Sequence, residues 1–546
     1  MNLRRISNWL FNLDARYPRT IIAGVIFITV VLGWKVFDLE LDPSIRSMLP
    51  RDHSIVESIE KVDQLFSGSD IIIIAVESDS LLNNPKTLEK LSSFQDSLEA
   101  MPLISRVTSI FNQKHIIPTD DGFKIEPLLT GYPVDSSDYF TFLDKLNKSG
   151  VIENLISKDY TKMCFIGQIN SSFDFDEFEF RKDINNLVDQ FSYPEEFFVS
   201  SLPITQATIV DNMQRDMRVF TPIAIGLGIF LLMLSFRSWT GVFLPFFVVG
   251  FSIIWTFGIM GWLNMSMAFI GTLIPVMLIA IANNYGIHII SHYFEYSKSD
   301  TSSTRGQILR KTIRKVGIPI LLAGLTTIIS FLSLFTHALP RAREMGLLIS
   351  FGILVSFILS IFLIPSVLVL VSRPHYITKE KSMTTINNFL VGMAKYFTLY
   401  RIPVLVSFSI LCMLVSIGIK DLKVDTNPDN YFPESSKLRI ANTKIGEAFG
   451  GSTQMSILIE GDIYDPKILK DIELLTNHIK NKFDIVTKTY SISDVIKKMN
   501  AGFNGGKSSL EIIPDDRDLI SQYMFLYSLS SDGDEFDLIL DDMEDP

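Results

Sequence analysis

The sequence predicts a polytopic α-helical membrane protein that carries large polar domains between its spans. Apolar segments of about twenty residues recur along the chain, and each is long enough to cross the hydrocarbon core of a bilayer. Hydrophobic residues make up 47% of the 546 residues, which is too apolar for an ordinary soluble protein. Lys and Arg collect in short loops, whereas the acidic residues collect in two long polar regions. We therefore expect about seven spans joined to domains that fold in water.

The predicted spans follow the apolar segments. They lie at residues 20–38, 219–236, 242–263, 267–292, 318–335, 345–371 and 403–420. Four arginines precede the first span, and basic residues are more frequent on the cytoplasmic side of membranes. The sequence therefore predicts a multi-pass protein of the cytoplasmic (inner) membrane, with a cytoplasmic N-terminus and extracytoplasmic polar domains. Arg341 and Arg343, on the opposite side from the other basic loops, are exceptions to this pattern.

The polar regions divide the chain into further predicted domains. Strand-like runs such as MCFIGQI (163–169) alternate with helical patterns between residues 39 and 218, which favours an α/β or α+β module. Residues 1–19 form an amphipathic pattern typical of a helix on the membrane surface. The predicted domains are the cytoplasmic leader (1–19), a first extracytoplasmic domain (39–218), a bundle of five spans (219–372), a cytoplasmic loop with an amphipathic helix (373–402) and a partial second extracytoplasmic domain (421–546).

An internal repeat relates the two halves of the sequence. LELDPSIRSMLP (39–50) parallels LKVDTNPDNYFP (422–433), and Asp42 and Asp425 share the same offset of 383 positions as Phe66 and Phe449. We interpret this as a duplicated unit of one span, one outer domain and five spans. The second copy is incomplete, so we expect a truncated chain whose second sheet lacks two strands. An acidic interaction tail is the alternative interpretation of DGDEFDLILDDMEDP.

The span at 267–292 carries polar residues where a membrane helix normally holds only Leu, Ile and Val. Asn284, His288 and His292 are four residues apart, which places them on one helical face. Polar groups at this depth are costly, so they usually face a bundle interior or a hydrated path. Asn283, Asn284, Tyr285 and His288 are therefore the candidate site, either as a relay or as bundle-interior polar residues.

Structural roles are open for the same residues. Asn283–Tyr285 can hydrogen-bond between helices and hold the bundle together, at about 0.6 kcal/mol per contact. His288 is either a packing residue or a relay, and His292 is expected to anchor the helix at the membrane interface. Thr326 and Thr327 on the next span are candidate supporting residues: they either bond to the Asn pair or donate to their own helix backbone.

The sequence lacks the short motifs of catalysis and cofactor binding. It contains no Walker motif, no HExxH, no nucleophile elbow and no His/Cys cluster with metal spacing. We therefore expect no enzyme activity, no catalytic residue, no metal and no cofactor. The net charge of −11 argues against a nucleic-acid partner, and two cysteines, Cys164 in a polar domain and Cys412 in a span, argue against a disulfide framework.

The sequence resembles the RND (resistance–nodulation–division) superfamily, and within it the MMPL-like predicted exporters related to hopanoid and other lipid transporters. More distantly it is similar to Patched and the sterol-sensing-domain proteins. The resemblance covers nearly the whole chain and is carried by the span order, the duplication, NNYGIH (283–288), GLTTIISFLSL (324–334) and PRAREMGLLISFGI (340–353). It implies an RND-type bundle with porter domains of an α+β, ferredoxin-like type.

The resemblance also implies a function. It points to a transporter half that exports lipids or other hydrophobic molecules, driven by the proton-motive force, with membrane lipids, a lipid-like substrate, and a second copy or second half-transporter chain as partners. The alternative is a non-pumping, sterol-sensing-like receptor or scaffold with a ligand-binding outer domain.

One residue departs from the family pattern. Family members carry an Asp directly before the Tyr of the fourth span, and this sequence has Asn284 before Tyr285. A carboxyl can take up and release protons, whereas an amide cannot titrate. Three interpretations follow: a missing half carries the working carboxylate, His288 titrates instead, or the unit is not coupled to protons.

Overall fold

The structure is a computed structural model, and it divides into two compact units. The membrane unit comprises Met1–Arg51 and Thr208–Val424, and the polar unit comprises Asp52–Ala207 and Asp425–Pro546. The structure describes residues 17–42, 44, 47, 49–50, 53–65, 70–79, 81–82, 84–119, 122–129, 136–149, 154–170, 176–300, 302–371, 383–422, 427–451, 455–504 and 507–530. Most of the predicted leader (1–19) lies outside these residues, as do the start of the loop at 373–402 and the acidic segment after residue 530.

The elements of the described residues are numbered in chain order. The helices are α1 (Pro18–Trp34), α2 (Ser54–Leu65), α3 (Pro85–Glu99), α4 (Ser136–Ser149), α5 (Glu177–Phe191), α6 (Leu202–Phe236), α7 (Trp239–Trp262), α8 (Leu273–Ser299), α9 (Arg305–Leu332), α10 (Pro340–Leu370), α11 (Met383–Leu399), α12 (Arg401–Ile417), α13 (Lys437–Phe449), α14 (Pro466–Lys482), α15 (Ile492–Phe503) and α16 (Arg517–Ser530). The strands are β1 (Leu41–Asp42), β2 (Ile71–Glu77), β3 (Ile104–Thr108), β4 (Lys114–Thr119), β5 (Gly122–Pro127), β6 (Lys162–Ile169), β7 (Glu196–Ser201) and β8 (Met267–Ala268).

Seven helical segments of the described chain are long and apolar enough to cross a membrane. They are Pro18–Asp38, Leu202–Phe236, Trp239–Trp262, Phe269–Ser299, Arg305–Thr336, Pro340–Leu370 and Arg401–Asp421. This confirms the predicted class, a polytopic helical membrane protein with about seven spans. Several helices extend beyond the predicted spans, and α6 and α9 begin more than ten residues earlier than their apolar segments. Hydropathy marks the depth of the hydrocarbon, whereas backbone hydrogen bonds continue the helix past it.

The interior of the membrane unit is formed by α7, α8 and α10. Between 50% and 61% of the apolar window of each of these helices is buried, compared with 11% for α9 and none for α12. Hydroxyl groups of α10 bond to two neighbouring helices: Ser356 Oγ donates to the Ala282 carbonyl oxygen of α8 at 3.0 Å, and Ser350 Oγ donates to the Ile328 carbonyl oxygen of α9 at 3.2 Å. Small residues allow helices in lipid to approach closely, and hydrogen bonds between the helices then stabilise the bundle.

The polar unit contains a four-stranded antiparallel sheet in the order β3-β6-β2-β7. With α3 between β2 and β3, and α5 between β6 and β7, this is the βαββαβ arrangement of ferredoxin-like folds. β2 reads IIIIAVE and its five middle residues are buried, because it lies in the centre of the sheet. Phe94 of α3 packs against Phe165 of β6 and Phe191 of α5, with ring centroids 5.1 and 5.4 Å apart. The strand order and the two helices therefore agree with the ferredoxin-like type of α+β fold that the resemblance implies.

The segment after α12 differs from the expected second sheet domain. Its described residues form helices α13 to α16 and no strand, and residues 455–460, which match β2 in the repeat, belong to no helix or strand. Helix α13 instead packs against β7, and Ile445 and Phe449 join the same core as β2 and β6. An unpaired strand needs a neighbour to satisfy its backbone groups, and the described part of this segment supplies none. Segments 52–207 and 425–546 consequently form one compact unit.

The helix bounds follow the offset of the predicted repeat. Helix α12 begins and ends 383 positions after α1, and α13 begins 383 positions after α2. The short 3-10 helices Lys35–Asp38 and Gly418–Asp421 are related in the same way. These coincidences support the duplication, which stays a prediction.

Candidate functional site

Helix α8 presents the polar residues to two different environments. Its buried face contacts α7 and α10, and a side chain at Gly286 would meet Pro245 of α7 and Ile364 of α10 at 3.1 Å. Asn283 and Tyr285 are buried, with 8% and 3% of their surfaces exposed, whereas Asn284 and His288 are exposed. Neighbouring residues of a helix differ in direction by about 100°, and the two adjacent asparagines accordingly lie in different environments.

A cavity of about 630 Å³ separates the exposed face of α8 from α9. Its volume is within the range of small-molecule sites in proteins, about 300–1,000 Å³. The lining residues are Ile281, Asn284, Tyr285, His288 and His292 of α8, and Lys315, Val316, Pro319, Ile320, Ala323 and Thr327 of α9. The cavity thus brings together three of the four residues of the predicted site, and Asn283 is not among those that line it.

The two walls of the cavity differ in chemistry. On α8, His292, His288 and Asn284 form a polar line that extends about 12 Å along the axis, at 1.5 Å per residue. Most of the α9 wall is apolar, and Lys315 lies at one end of it, three residues before the apolar segment predicted at 318–335. From the predicted spans we expect Lys315 and His292 at the depth of the membrane interface, and Asn284 near the middle of the hydrocarbon.

Three of the cavity's polar side chains have no partner among the residues that the structure describes. Asn284, His288 and Lys315 form no side-chain hydrogen bond or ion pair with any residue that the structure describes. His292 differs, since its Nδ1 lies 2.8 Å from Glu295 Oε2 at the end of the helix. Polar groups within a bilayer are stable only when something satisfies them, so these side chains require water, a lipid or another polar ligand.

The buried polar residues Asn283 and Tyr285 also have side-chain atoms without a hydrogen-bond partner among the described residues. Within the described residues, Asn283 Oδ1 and the Tyr285 hydroxyl have no partner at normal hydrogen-bond geometry. The Tyr285 ring packs edge-to-face against Phe357 of α10, with centroids 6.0 Å apart. Its hydroxyl lies on the Thr327 side of the cavity. Described hydrogen bonds between the spans come instead from serines such as Ser356 and from Trp255, whose Nε1 donates to Thr29 Oγ1 of α1 at 2.9 Å.

The two supporting threonines donate to their own helix. Thr326 Oγ1 and Thr327 Oγ1 both donate to the Ala323 carbonyl oxygen, at 2.9 and 2.8 Å. Neither hydroxyl therefore bonds to the Asn pair. Thr327 lines the cavity, and Thr326 is exposed outside it. Two roles were open for these threonines. In the structure, both donate to the backbone of their own helix.

Arg341, an exception to the charge pattern in the sequence, belongs to a second polar cluster in the structure. Arg341 is largely buried and forms ion pairs with Asp42 and with Glu344, the latter at 2.9 Å. It also donates to Ser47 Oγ and Ser266 Oγ, at 3.3 and 3.4 Å. Arg341 is therefore a structural partner and not a free charge. In the sequence, the recurrence of Asp42 as Asp425 in the repeat was the signal that could have pointed to this cluster.

The same cluster fixes a short parallel pairing in the membrane unit. Strand β1 pairs with β8, in the register Leu41 with Met267 and Asp42 with Ala268. The Met267 amide donates to the Glu40 carbonyl oxygen at 2.8 Å. Asp42 thus joins the end of the first span to the loop before α8. Among the described residues, no group of three or more His, Cys, Asp or Glu side chains is placed to hold a metal ion.

Comparison with known proteins agrees with this architecture. The profile of the MMPL family matches residues 47–399, which include the ferredoxin-like sheet and the whole cavity between α8 and α9. MJ1562 of Methanocaldococcus jannaschii, a membrane protein by its name, is 22% identical over 392 residues, which cover 68% of this chain and 95% of the archaeal protein. Because the family match spans more than half of the chain, the protein belongs to the MMPL family.

Proposed function

We propose that the protein is one unit of a membrane transporter that exports lipids or other hydrophobic molecules. The observation that carries the proposal is the cavity between α8 and α9, which combines a polar wall with an apolar wall at membrane depth. A molecule with a polar and an apolar part needs both surfaces to leave its place in a bilayer. Membership of the MMPL family is consistent with a transporter-type role.

Transport in this proposal follows from movement of one bundle against another. Transporters built from repeated bundles expose a site alternately to the two sides when one repeat rocks against its partner. A second copy of the chain, or a second half-transporter chain, supplies the other bundle. The export direction is from the membrane toward the polar domains.

His288 is the group that we assign to proton coupling. Asn284 cannot titrate, whereas imidazole changes charge within the physiological pH range. His288 faces the cavity, and no described side chain forms a hydrogen bond with its imidazole ring. A protonated His288 would place a charge on the polar wall and favour the conformation in which water reaches it.

Substitution of His288 and Asn284 tests both parts of the proposal. In vesicles with an imposed pH gradient, the full chain should export a fluorescent lipid analogue, and His288→Gln should abolish the gradient dependence. Asn284→Asp should add a pH dependence, because a carboxyl at this depth ionises only at a cost. His478→Gln, on the exposed surface of α14, is the matched control and should change nothing. Gradient-dependent export by His288→Gln at the native rate would exclude the relay.

Asn284 itself favours a second candidate function. A unit that lacks the family carboxyl and does not pump would act as a sterol-sensing-like receptor or scaffold that binds a ligand. The same vesicles distinguish the two functions. A transporter moves the lipid analogue across the membrane, whereas a receptor binds it without a change in its distribution.

A further inference from the structure

We propose that the cavity between α8 and α9 binds the anionic headgroup of a membrane lipid, with Lys315 as the counter-charge and with the acyl chains left in the bilayer. This rests on the proposed function and names the substrate class of its site. The lipid belongs to the leaflet on the side of the basic segment 305–315.

The position of Lys315 is the first argument. It lines the mouth of the cavity and has no ion-pair or hydrogen-bond partner among the described residues. Lys311, one turn earlier on the same helix, is already paired with Asp300 at 2.5 Å. Basic pockets between membrane helices at this depth attract the headgroups of anionic lipids. Lys315 can therefore meet an anion without giving up a described partner, whereas Lys311 would have to leave Asp300.

The polar wall on α8 is the second argument. His292, His288 and Asn284 repeat every four residues, so a polar group is available about every 6 Å from the interface inward. A headgroup that leaves Lys315 for deeper positions would meet donors and acceptors throughout. The buried Tyr285, whose hydroxyl has no normal hydrogen bond among the described residues, lines the deep part of the same cavity.

The side chains on the exposed surface of α9 indicate whether a lipid or a second protein bundle covers the cavity. Beside the cavity, Ile318, Leu322, Leu325 and Ile329 follow each other at intervals of three or four residues and are 45–63% exposed. Helix interfaces in membranes are enriched in small residues that let backbones approach. Large aliphatic side chains here are typical of contact with acyl chains. The headgroup accordingly lies in the cavity, and its chains lie along this aliphatic row.

Reaction of introduced cysteines with a membrane-impermeant maleimide tests the proposal. Cys164 and Cys412 are first replaced by alanine in the full chain, which is placed in phosphatidylcholine nanodiscs. Ala323→Cys reports on the cavity wall, and Leu322→Cys, one residue away on the aliphatic row, is its control. We expect Ala323→Cys to react severalfold faster. Adding phosphatidic acid should slow Ala323→Cys severalfold, and more phosphatidylcholine should not.

Charge variants identify the counter-ion. Lys315→Gln should remove the protection by phosphatidic acid, Lys315→Arg should retain it, and Lys311→Gln should leave it intact. Equal reactivity at positions 322 and 323, protection that survives Lys315→Gln, or loss of protection in Lys311→Gln would overturn the proposal. Disulfide-linked dimers through Ala323→Cys would do the same, because a second copy would then cover the cavity.

The labelling requires neither a gradient nor transport, so the two proposals fail separately. Protection without export would leave the headgroup site in place and reject the transporter. Export without protection would reject the headgroup site and retain the transporter.

Discussion

At the scale of single residues, burial separates side chains that are adjacent in sequence. Asn283 and Asn284 are chemically identical, yet the first is buried against neighbouring helices and the second faces the cavity. A substitution at Asn283 therefore acts on packing, and one at Asn284 acts on whatever occupies the cavity. Asn284 also stands where the resemblance to the RND superfamily implies a carboxyl, and its side chain lines the cavity.

Arg341 provides the residue-scale prediction. Its guanidinium and the Asp42 carboxylate are 12% and 17% exposed, and breaking such a pair leaves one charge largely buried and unpaired. We expect Arg341→Gln to lower the free energy of unfolding of the membrane unit by about 2–3 kcal/mol. Thermal unfolding of the full chain in detergent measures the loss.

A double-mutant cycle separates the ion pair from simple loss of the side chain. Asp42→Asn combined with Arg341→Gln should recover part of the stability, because neither charge is then left alone. Arg343→Gln, on the exposed side of the same helix, is the control. Additive losses from Asp42→Asn and Arg341→Gln would show that the pair is not coupled.

At the scale of elements, α13 is the clearest case of a segment placed by long-range packing. Ile445 is fully buried in the sheet core of the polar unit, and Lys444 reaches Glu77 of β2 at 3.0 Å. Glu77 also pairs with Lys162 at 3.2 Å. Burial raises the pKa of Glu77, but hydrogen bonds from Lys444 and Lys162 outweigh it and hold that pKa below its ordinary value of 4.5. The hydrogen bond to Glu77 raises the pKa of Lys444 above 10.5.

These shifts predict how the attachment of α13 depends on pH. A lowered carboxyl pKa stabilises the folded state above its unfolded value, and this contribution is lost as pH falls through the folded value. A raised Lys pKa stabilises below 10.5 and is lost above it. The contribution is therefore complete between about pH 5 and pH 10 and disappears in acid. Both groups are partly exposed, so we expect a change below about 1 kcal/mol.

Hydrogen exchange of residues 437–449, corrected for the intrinsic effect of pH, measures this change. Protection should fall between pH 5 and pH 3 in the native chain, and the fall should be smaller in Lys444→Gln. Lys437→Gln, an exposed lysine of the same helix with no described partner, should behave like the native chain. An unchanged acid step in Lys444→Gln would assign the effect to other carboxylates.

At the scale of the whole molecule, seven spans and the distribution of basic residues predict the topology. Segment 305–315 and the residues after α10 are basic, and both fall on the same side by the parity of the spans. This pattern predicts that both segments of the polar unit are on the other side of the membrane. Arg341, which conflicted with this pattern, is neutralised by Asp42 and Glu344 and carries no free charge.

Labelling of single cysteines with an impermeant reagent checks the topology. In a cysteine-free background, Glu89→Cys of α3 and His478→Cys of α14 should react from one side of sealed vesicles. Ser302→Cys, in the loop between α8 and α9, should react only from the other side, since all three positions are exposed. Reaction of Ser302→Cys and Glu89→Cys from the same side would contradict the predicted orientation.

The sequence by itself determined the features that depend on local pattern. Apolar length identified seven spans because the bilayer sets the length of a crossing helix. Strand-like runs such as MCFIGQI identified β6, because a central strand is buried on both faces and reads as a continuous apolar run. The four-residue spacing of Asn284, His288 and His292 placed them on one face of α8, as the structure shows.

Tertiary structure decided which of these faces are covered and by what. Lys315 joined the candidate site because α9 packs beside α8 and not because of any motif, and Arg341 found Asp42 across 299 positions of sequence. Helix α13 joined the core of a domain that begins almost four hundred residues earlier, where its repeat predicted a separate sheet. Periodicity reports the environment of a residue along its own element, whereas burial and pairing depend on contacts between elements that are distant in sequence.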